Sequence, residues 1–304
     1  MSMPMVKLNP DHGADAPTGR TGPRHGEATG PEAEGPGSGL VHLDRIADRT
    51  VVTRLRTRSP LKVLVPRQRE RAAWMIQGNF GGGLLEGDRI DLTLAVGPGA
   101  IGYVGTQGST KIFRSEKNLG ATQQMSASVA DRALLVVAPD PVACYAGAIY
   151  DQVQRFDLTG TGSLFLIDWV TAGRIACAER WALDRYHGRN DIFLDGDHLY
   201  GDATLLDGTF GPVDAPFRTG RYNCLATLVL AGAQVDGLQR RFVEQAQALP
   251  VGSREPLIHS ASAFEGGAVI RVAGVHTAQV TAFLHDKLRH VADRLGEDPW
   301  ARKF

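Results

Sequence analysis

Apolar side chains at Ile90, Leu92, Leu94 and Val96 alternate with Asp91, Thr93 and Ala95. A period of two puts the apolar set on one face of a half-buried strand, and the "GPG" at 97–99 supplies the turn that ends it. The segments "AIGYVGTQ", "RALLVVAPDP", "YDQVQRFDL", "GSLFLIDWV", "RWALDRY" and "NDIFLDGDHLY" continue the series, separated by clusters of Gly, Asp, Asn or Pro. From Leu40 to about Phe217 the pattern predicts strand after strand, with no helix of convincing length between them.

The period changes in the last third. "YNCLATLVLAG" (222–232) reads as a buried strand, and 235–249 as a short helix with Leu238, Phe242 and Leu249 broadly on one side. "LIHSASAF" and "AVIRVAG" read as two strands joined by the "EGG" of 265–267. Val280, Phe283, Leu284, Leu288, Val291 and Leu295 then step by three and four, opposite a charged face, which predicts an amphipathic helix. The order β, α, β, β, α implies helices packed on one face of a sheet. The expected fold is mainly β, in a strand-rich part over about 40–217 and an α+β part with two helices over about 218–296. No repeat at a fixed period is visible, which leaves irregular stacking open.

Composition limits the rest. Residues 1–39 are dense in Gly, Pro, Ala and charge, with too few apolar side chains to offset the entropy of ordering, so a disordered arm is expected. The 33 basic and 33 acidic side chains cancel, which argues against a general attraction to nucleic acid or an anionic membrane. Cys144, Cys177 and Cys224 are odd in number and far apart, so neither a disulfide framework nor a cysteine zinc knuckle is encoded. No stretch reaches the roughly 18 apolar residues of a membrane span, and no secretory signal opens the chain, so a cytoplasmic location is expected.

Common catalytic motifs do not fit. The glycines of "GGGLLEGD" (81–88) precede an alternating strand rather than a helix, and no lysine follows Gly87, so neither a dinucleotide fingerprint nor a P-loop is present. There is no G-x-S-x-G elbow, and His285 and His290 are five apart on a helix, where their side chains diverge. The carboxylates Asp88, Asp140, Asp168 and Glu179 remain as candidates. Asp168 stands inside an apolar run, the setting of either a hydrogen-bonded internal acid or one that faces a cavity. Two such acids in a β-rich cleft would also suit a glycosidase-like hydrolase, although the aromatic content of 7% offers few stacking platforms for a sugar.

Four ordered motifs carry a family resemblance: "GGGLLEGD" (81–88), "TQGSTKIFRS" (106–115), "PDPVACYAGAIYDQ" (139–152) and "LIDWVTAGRIACAER" (166–180). Together with "RNDIFLDGDHLYGDATLLD" (189–207), they resemble the UreD (UreH) family of urease accessory proteins over about residues 45–295. The resemblance implies an irregular β-helix-like stack of strands with a few helices. It implies a non-catalytic scaffold that binds UreF, through it the GTPase UreG, and the urease structural subunits. It further implies an internal polar tunnel for nickel, with no tightly bound cofactor and Ni2+ only in transit. Carried onto this chain, the acids that close the glycine and "GR" motifs are Asp88 and Glu179, a transient nickel relay.

A relay must bind a cation strongly enough to admit it and weakly enough to release it, which a closed cysteine and histidine cage would not do. The polar run Thr106, Gln107, Ser109, Thr110 and Lys111 either lines such a channel, contacts a partner, or forms a solvated sheet edge. Arg174 is expected to pair with Glu179 or another acid. Many family members have Ser-Pro before the glycines and Arg-Gly before the last acid, where this chain has Asn79-Phe80 and Cys177-Ala178. On a strand, Cys177 would share a side with Glu179 and add a soft ligand; the plainer expectation is a buried, inert thiol.

Overall fold

The computed structural model describes residues 35–67, 70–248, 252 and 254–300. The expected N-terminal arm therefore lies outside the described residues as far as position 34, and Ser38 and Gly39 already belong to the first strand.

The chain enters as two hairpins, β1 (Ser38–Ile46) with β2 (Arg49–Thr57), then β3 (Leu61–Leu64) with β4 (Ala73–Asn79). It next shuttles between two sheets through β5 (Arg89–Val96), β6 (Ile101–Thr106), β7 (Thr110–Ile112), β8 (Ala121–Val129), β9 (Leu134–Val137), β10 (Val142–Cys144), β11 (Ile149–Leu158), β12 (Ser163–Thr171) and β13 (Arg185–Leu194). Antiparallel strands close the stack: β14 (Asp197–Asp207) on β13, and β15 (Cys224–Ala231), β16 (Leu257–Phe264) and β17 (Gly267–Gly274) beyond β12.

The first sheet runs β14-β13-β11-β8-β5-β1-β2 and the second β16-β17-β15-β12-β9-β6-β4-β3, with β7 and β10 attached beside β12. Neighbours from β1 through β5, β8 and β11 to β13 are parallel, as are those from β4 through β6 and β9 to β12. Parallel neighbours need a crossover between them, and here each crossover passes through the opposite sheet. The result is a stack of coils resembling a β-solenoid, as the family resemblance implied. Because strand lengths vary from coil to coil, no fixed sequence period accompanies it.

Two cores follow from the layering. Between the sheets, Leu164, Leu166 and Val170 of β12 join Leu92, Phe156 and Ile192. On the other face of the second sheet, Phe165, Ile167 and Trp169 pack with Phe242 of α1 (Asp236–Gln247), Val280, Leu284 and Leu288 of α2 (Thr277–Arg289), and Leu295 of α3 (Ala292–Leu295). A strand buried on both faces explains the unbroken apolar run around Asp168.

Two elements differ from expectation. The helix predicted across 280–295 is broken after Arg289 and resumes at Ala292, with Val291 and Leu295 still buried. "RWALDRY" is not a strand from its first residue: Trp181 is left-handed (φ 50°) and donates its indole N–H to Tyr222 O at 2.8 Å, so β13 begins only at Arg185. The second sheet also continues without a break across residue 217, through the pairing of β12 with β15.

Candidate functional site: a polar passage between the sheets

Strand alternation builds the site. On β11 the inward parity is Tyr150, Gln152, Gln154, Phe156 and Leu158, all buried, so two amides stand where apolar side chains would be expected. On β13 the same face carries Tyr186, Asn190 and Ile192. From the opposite sheet, Asp168 shares the parity of Leu166 and Val170 and points at these amides.

Gln152 Nε2 donates to Asp168 Oδ1 and Asn190 Nδ2 to Asp168 Oδ2, each at 2.9 Å. Gln154 Nε2 donates to Asn190 Oδ1 at 2.9 Å, and the Tyr150 hydroxyl to Gln152 Oε1 at 3.3 Å. Burial raises the pKa of Asp168, while the Asn190 and Gln152 amides pull it back down. Among the described residues no arginine or lysine pairs with Asp168, so its neutral amide donors leave carboxylate lone pairs for a further donor or a cation.

Asp168 lines two cavities. Inward, a constriction of about 20 Å³ is bounded by Gln77, Thr106, Gln123, Asp140, Gln152 and Asp168. That is room for about one water molecule. Thr106 Oγ1 donates to Asp140 Oδ2 at 2.9 Å and accepts from Asp140 N at 2.7 Å. The Oε1 of Gln123 is buried and has no hydrogen-bond partner among the described residues. An acceptor left without a donor is costly in a dry core and favourable beside a cation or water.

Outward from Asp168, a cavity of about 370 Å³ opens between β14 and β15–β17. Asp202 and Arg271 form an ion pair there at 2.7 Å, and His259 lines the same wall. Tyr200 stacked on Phe264, centroids 4.8 Å apart, adjoins the pair through an Arg271 hydrogen bond at 3.3 Å.

At the other end of the constriction, Gln77, Thr106 and Thr110 also bound a basin of about 420 Å³ under β3, β4 and the turn between β6 and β7. Gln107, Ser109 and Lys111 line it too, so the whole polar run singled out in the sequence reaches one cavity. Asn79 Oδ1, another buried acceptor with no partner among the described residues, borders the same basin.

Asp88, Glu179 and Cys177 are not brought to these cavities. Asp88 accepts Leu85 N–H at 2.8 Å within its own turn. Glu179 is gripped by Arg174 through Nη2 at 2.5 Å and Nε at 2.9 Å, as expected, and also accepts Ala146 N–H at 3.2 Å. These contacts hold its carboxyl below the usual range, the Arg174 hydrogen bond contributing most. Cys177 is exposed rather than buried, on a short 3-10 turn (Ile175–Cys177), because Ala178 is left-handed (φ 59°) and no strand forms there. The shared side inferred from strand geometry therefore does not apply.

The triple glycine also divides differently from a single close-packed turn. Gly81 and Gly82 have open space around them and are needed for φ of 91° and 74°, whereas Gly83 lies where a Cβ would be 2.7 Å from Lys111 O.

Gln77, Gln123, Gln152, Gln154, Asn190 and Asp202 were missed from sequence. Polar residues on both parities of "YDQVQRFDL" were the available signal: Gln152 and Gln154 share the parity of Phe156 and Leu158, not that of Asp151, Arg155 and Asp157. Among the described residues no group of three or more His, Cys, Asp or Glu side chains converges as a metal cage, and no described helix is long and apolar enough to cross a membrane.

The fold and the site together define a mainly β protein, a coiled stack of strands with cavities along it. Comparison with known proteins gives that class its family. The family model for the UreD urease accessory protein matches residues 36–303. The chain is 42% identical over 269 residues to the urease accessory protein UreD of Sorangium cellulosum, covering 88% of this chain and 84% of that one. It is 31% identical over 293 residues to the urease accessory protein D of Arabidopsis thaliana, covering 87% and 99%. The chain belongs to the UreD family of urease accessory proteins, which serve urease maturation and are not catalysts.

Proposed function

We infer that this chain delivers nickel during urease maturation, as a scaffold joining UreF, and through it UreG, to apo-urease. The ion passes along the three cavities, of which the outer cavity and the constriction are lined by both sheets and the basin by the second sheet and its loops. The observation that carries this reading is Asp168, a carboxylate held only by amides at the junction of the constriction and the outer cavity.

The outer cavity admits the ion beside Asp202, and Asp168 takes it in exchange for part of its water shell. The amide and hydroxyl oxygens of Gln123, Gln77 and Thr106 hand it on without trapping it, since neutral oxygen donors bind nickel less tightly than thiolate or imidazole. The one-water constriction requires the ion to shed water or the walls to breathe. Asp88 and Glu179 act in this account by fixing turns near the passage, not as relay ligands.

Urease activation at limiting nickel tests the assignment. Asp168→Ala should lower nickel per urease at least tenfold with the accessory complex intact, while Asp88→Ala combined with Glu179→Ala, in a folded protein, should load urease nearly normally. The reverse ranking would return the relay to Asp88 and Glu179.

A further inference from the structure

Two rows of polar side chains face one another at the outer cavity. Across the second sheet, the directly opposed positions on β12, β15, β17 and β16 are Asp168, Thr227, Arg271 and Ser260. Across the first sheet, β11, β13 and β14 align Gln154, Asn190 and Asp202. Strand spacing sets the backbones of Asp168 and Arg271 roughly 10 Å apart. Asn190 joins the rows by its hydrogen bond to Asp168, and Asp202 joins them by its ion pair with Arg271.

Among the described residues that line this cavity, Arg271 is the one arginine or lysine. His259 stays neutral to lower pH than usual, because burial and then Lys287 disfavour its charged form. The fixed positive charge opposite Asp168 and Asp202 is therefore the guanidinium. Its hold is a single-point one: Nη2 alone donates to Asp202 Oδ1 at 2.7 Å and to the Tyr200 hydroxyl at 3.3 Å, without the two-point fork that makes arginine pairs strong. The Asp202 side chain is 11% exposed and that of Arg271 51%, so the cation can swing to water while the carboxylate stays in the cavity. Asp202 also acts on its fellow acid, its charge adding to the effect of burial in raising the Asp168 pKa. Two carboxylates that repel one another gain from a dication placed between them.

Resting on the nickel-transfer reading above, we propose that Arg271 is the tethered counter-ion of the outer cavity: it holds Asp202 while the cavity is empty, yields that carboxylate to an arriving divalent ion, and recovers it as the ion moves on to Asp168. A monovalent ion that replaced the guanidinium at Asp202 would add no charge to what Arg271 already supplies. A divalent ion satisfies Asp202 and still attracts Asp168, so the exchange selects dications. Return of the guanidinium then weakens the hold of Asp202 on the ion, and an acidic cavity that would otherwise retain the metal releases it inward.

Equilibrium dialysis of the full chain against Ni2+ tests this. Arg271→Gln removes the charge and should tighten nickel binding about tenfold, Arg271→Lys should bind as the unmodified chain does, and adding Asp202→Asn to Arg271→Gln should abolish the gain. A pair that only clips the two sheets together would give the opposite sign, a less stable variant with no tighter hold on nickel. In the unmodified chain, saturating Ni2+ should free the guanidinium and raise modification of Arg271 by an arginine-directed dicarbonyl reagent several-fold, read by peptide mass spectrometry. This arm decides the matter if the variants fail to fold. Unchanged or weaker nickel binding by folded Arg271→Gln, a gain that survives Asp202→Asn, or labelling that stays level or falls with nickel would overturn the proposal. If such a result comes with normal urease loading by the unmodified chain, only the role of Arg271 is wrong; if the unmodified chain neither binds nickel nor raises nickel per urease, the delivery reading fails and this proposal with it.

Discussion

Asp168 accepts side-chain hydrogen bonds from the Gln152 and Asn190 amides, and among the described residues it pairs with no arginine or lysine. Replacing Gln152 by Ala would remove one donor and should cost about 1–3 kcal/mol in urea unfolding, the usual range for breaking a buried polar pair. The pH dependence has two opposite parts. Burial raises the pKa of Asp168 above the usual 3.8, so its contribution to stability is fully present below that value and lost as pH rises through the folded pKa. Glu179, lowered from the usual 4.5 by Arg174, contributes above that value and loses its contribution as pH falls through the folded pKa. Stability curves should show Asp168→Asn losing less than wild type as pH rises out of the acid range, and Glu179→Gln losing less on acidification. Cysteine chemistry gives a separate check. Burial pushes the Cys144 and Cys224 thiols up to about 12, while Cys177 is exposed, so a thiol reagent should modify Cys177 in the native protein and the other two only after unfolding. At this scale the sequence exposed Asp168 through its apolar surroundings, but not its partners, because glutamine on a strand reads as an outward residue until its parity is compared with that of Phe156.

Among the elements, β12 brings Asp168 to the outer cavity and the constriction, and the glycine turn borders the basin. β12 is buried on both faces, so Leu166→Ala, in the core between the sheets, should cost about 2–5 kcal/mol in the same unfolding assay. Its apolar run was legible as a strand; that its two faces serve different cores was not, since periodicity alone does not separate a strand buried twice from a buried helix segment. In the turn, Gly83→Ala would place a Cβ 2.5 Å from the Phe113 ring and 2.7 Å from Lys111 O. It should destabilise the protein by about 1–3 kcal/mol through overpacking. Gly81→Ala meets open space and carries only the left-handed penalty, about 1–2 kcal/mol. The break after Arg289 left no clear trace in the sequence, because Val291 and Leu295 keep the helical spacing across it.

Over the whole molecule, the strand series, the two-helix C-terminal part and the covering of one sheet face all follow from patterning. The coiled topology does not: alternation shows that a segment is a strand, not which sheet it joins, and only the family motifs pointed to stacked coils. The stacking leaves polar side chains from both sheets facing one another at the constriction, which shares Asp168 with the outer cavity and Thr106 with the basin. The central claim is that nickel traverses these cavities, and closing the narrowest point tests it most directly. Thr110 borders both the basin and the constriction. With Thr110→Phe in the assembled complex, nickel bound per urease after activation at limiting nickel should fall at least tenfold while capture of UreF and urease is unchanged; a folded, assembled variant that loads urease fully would contradict passage between the sheets.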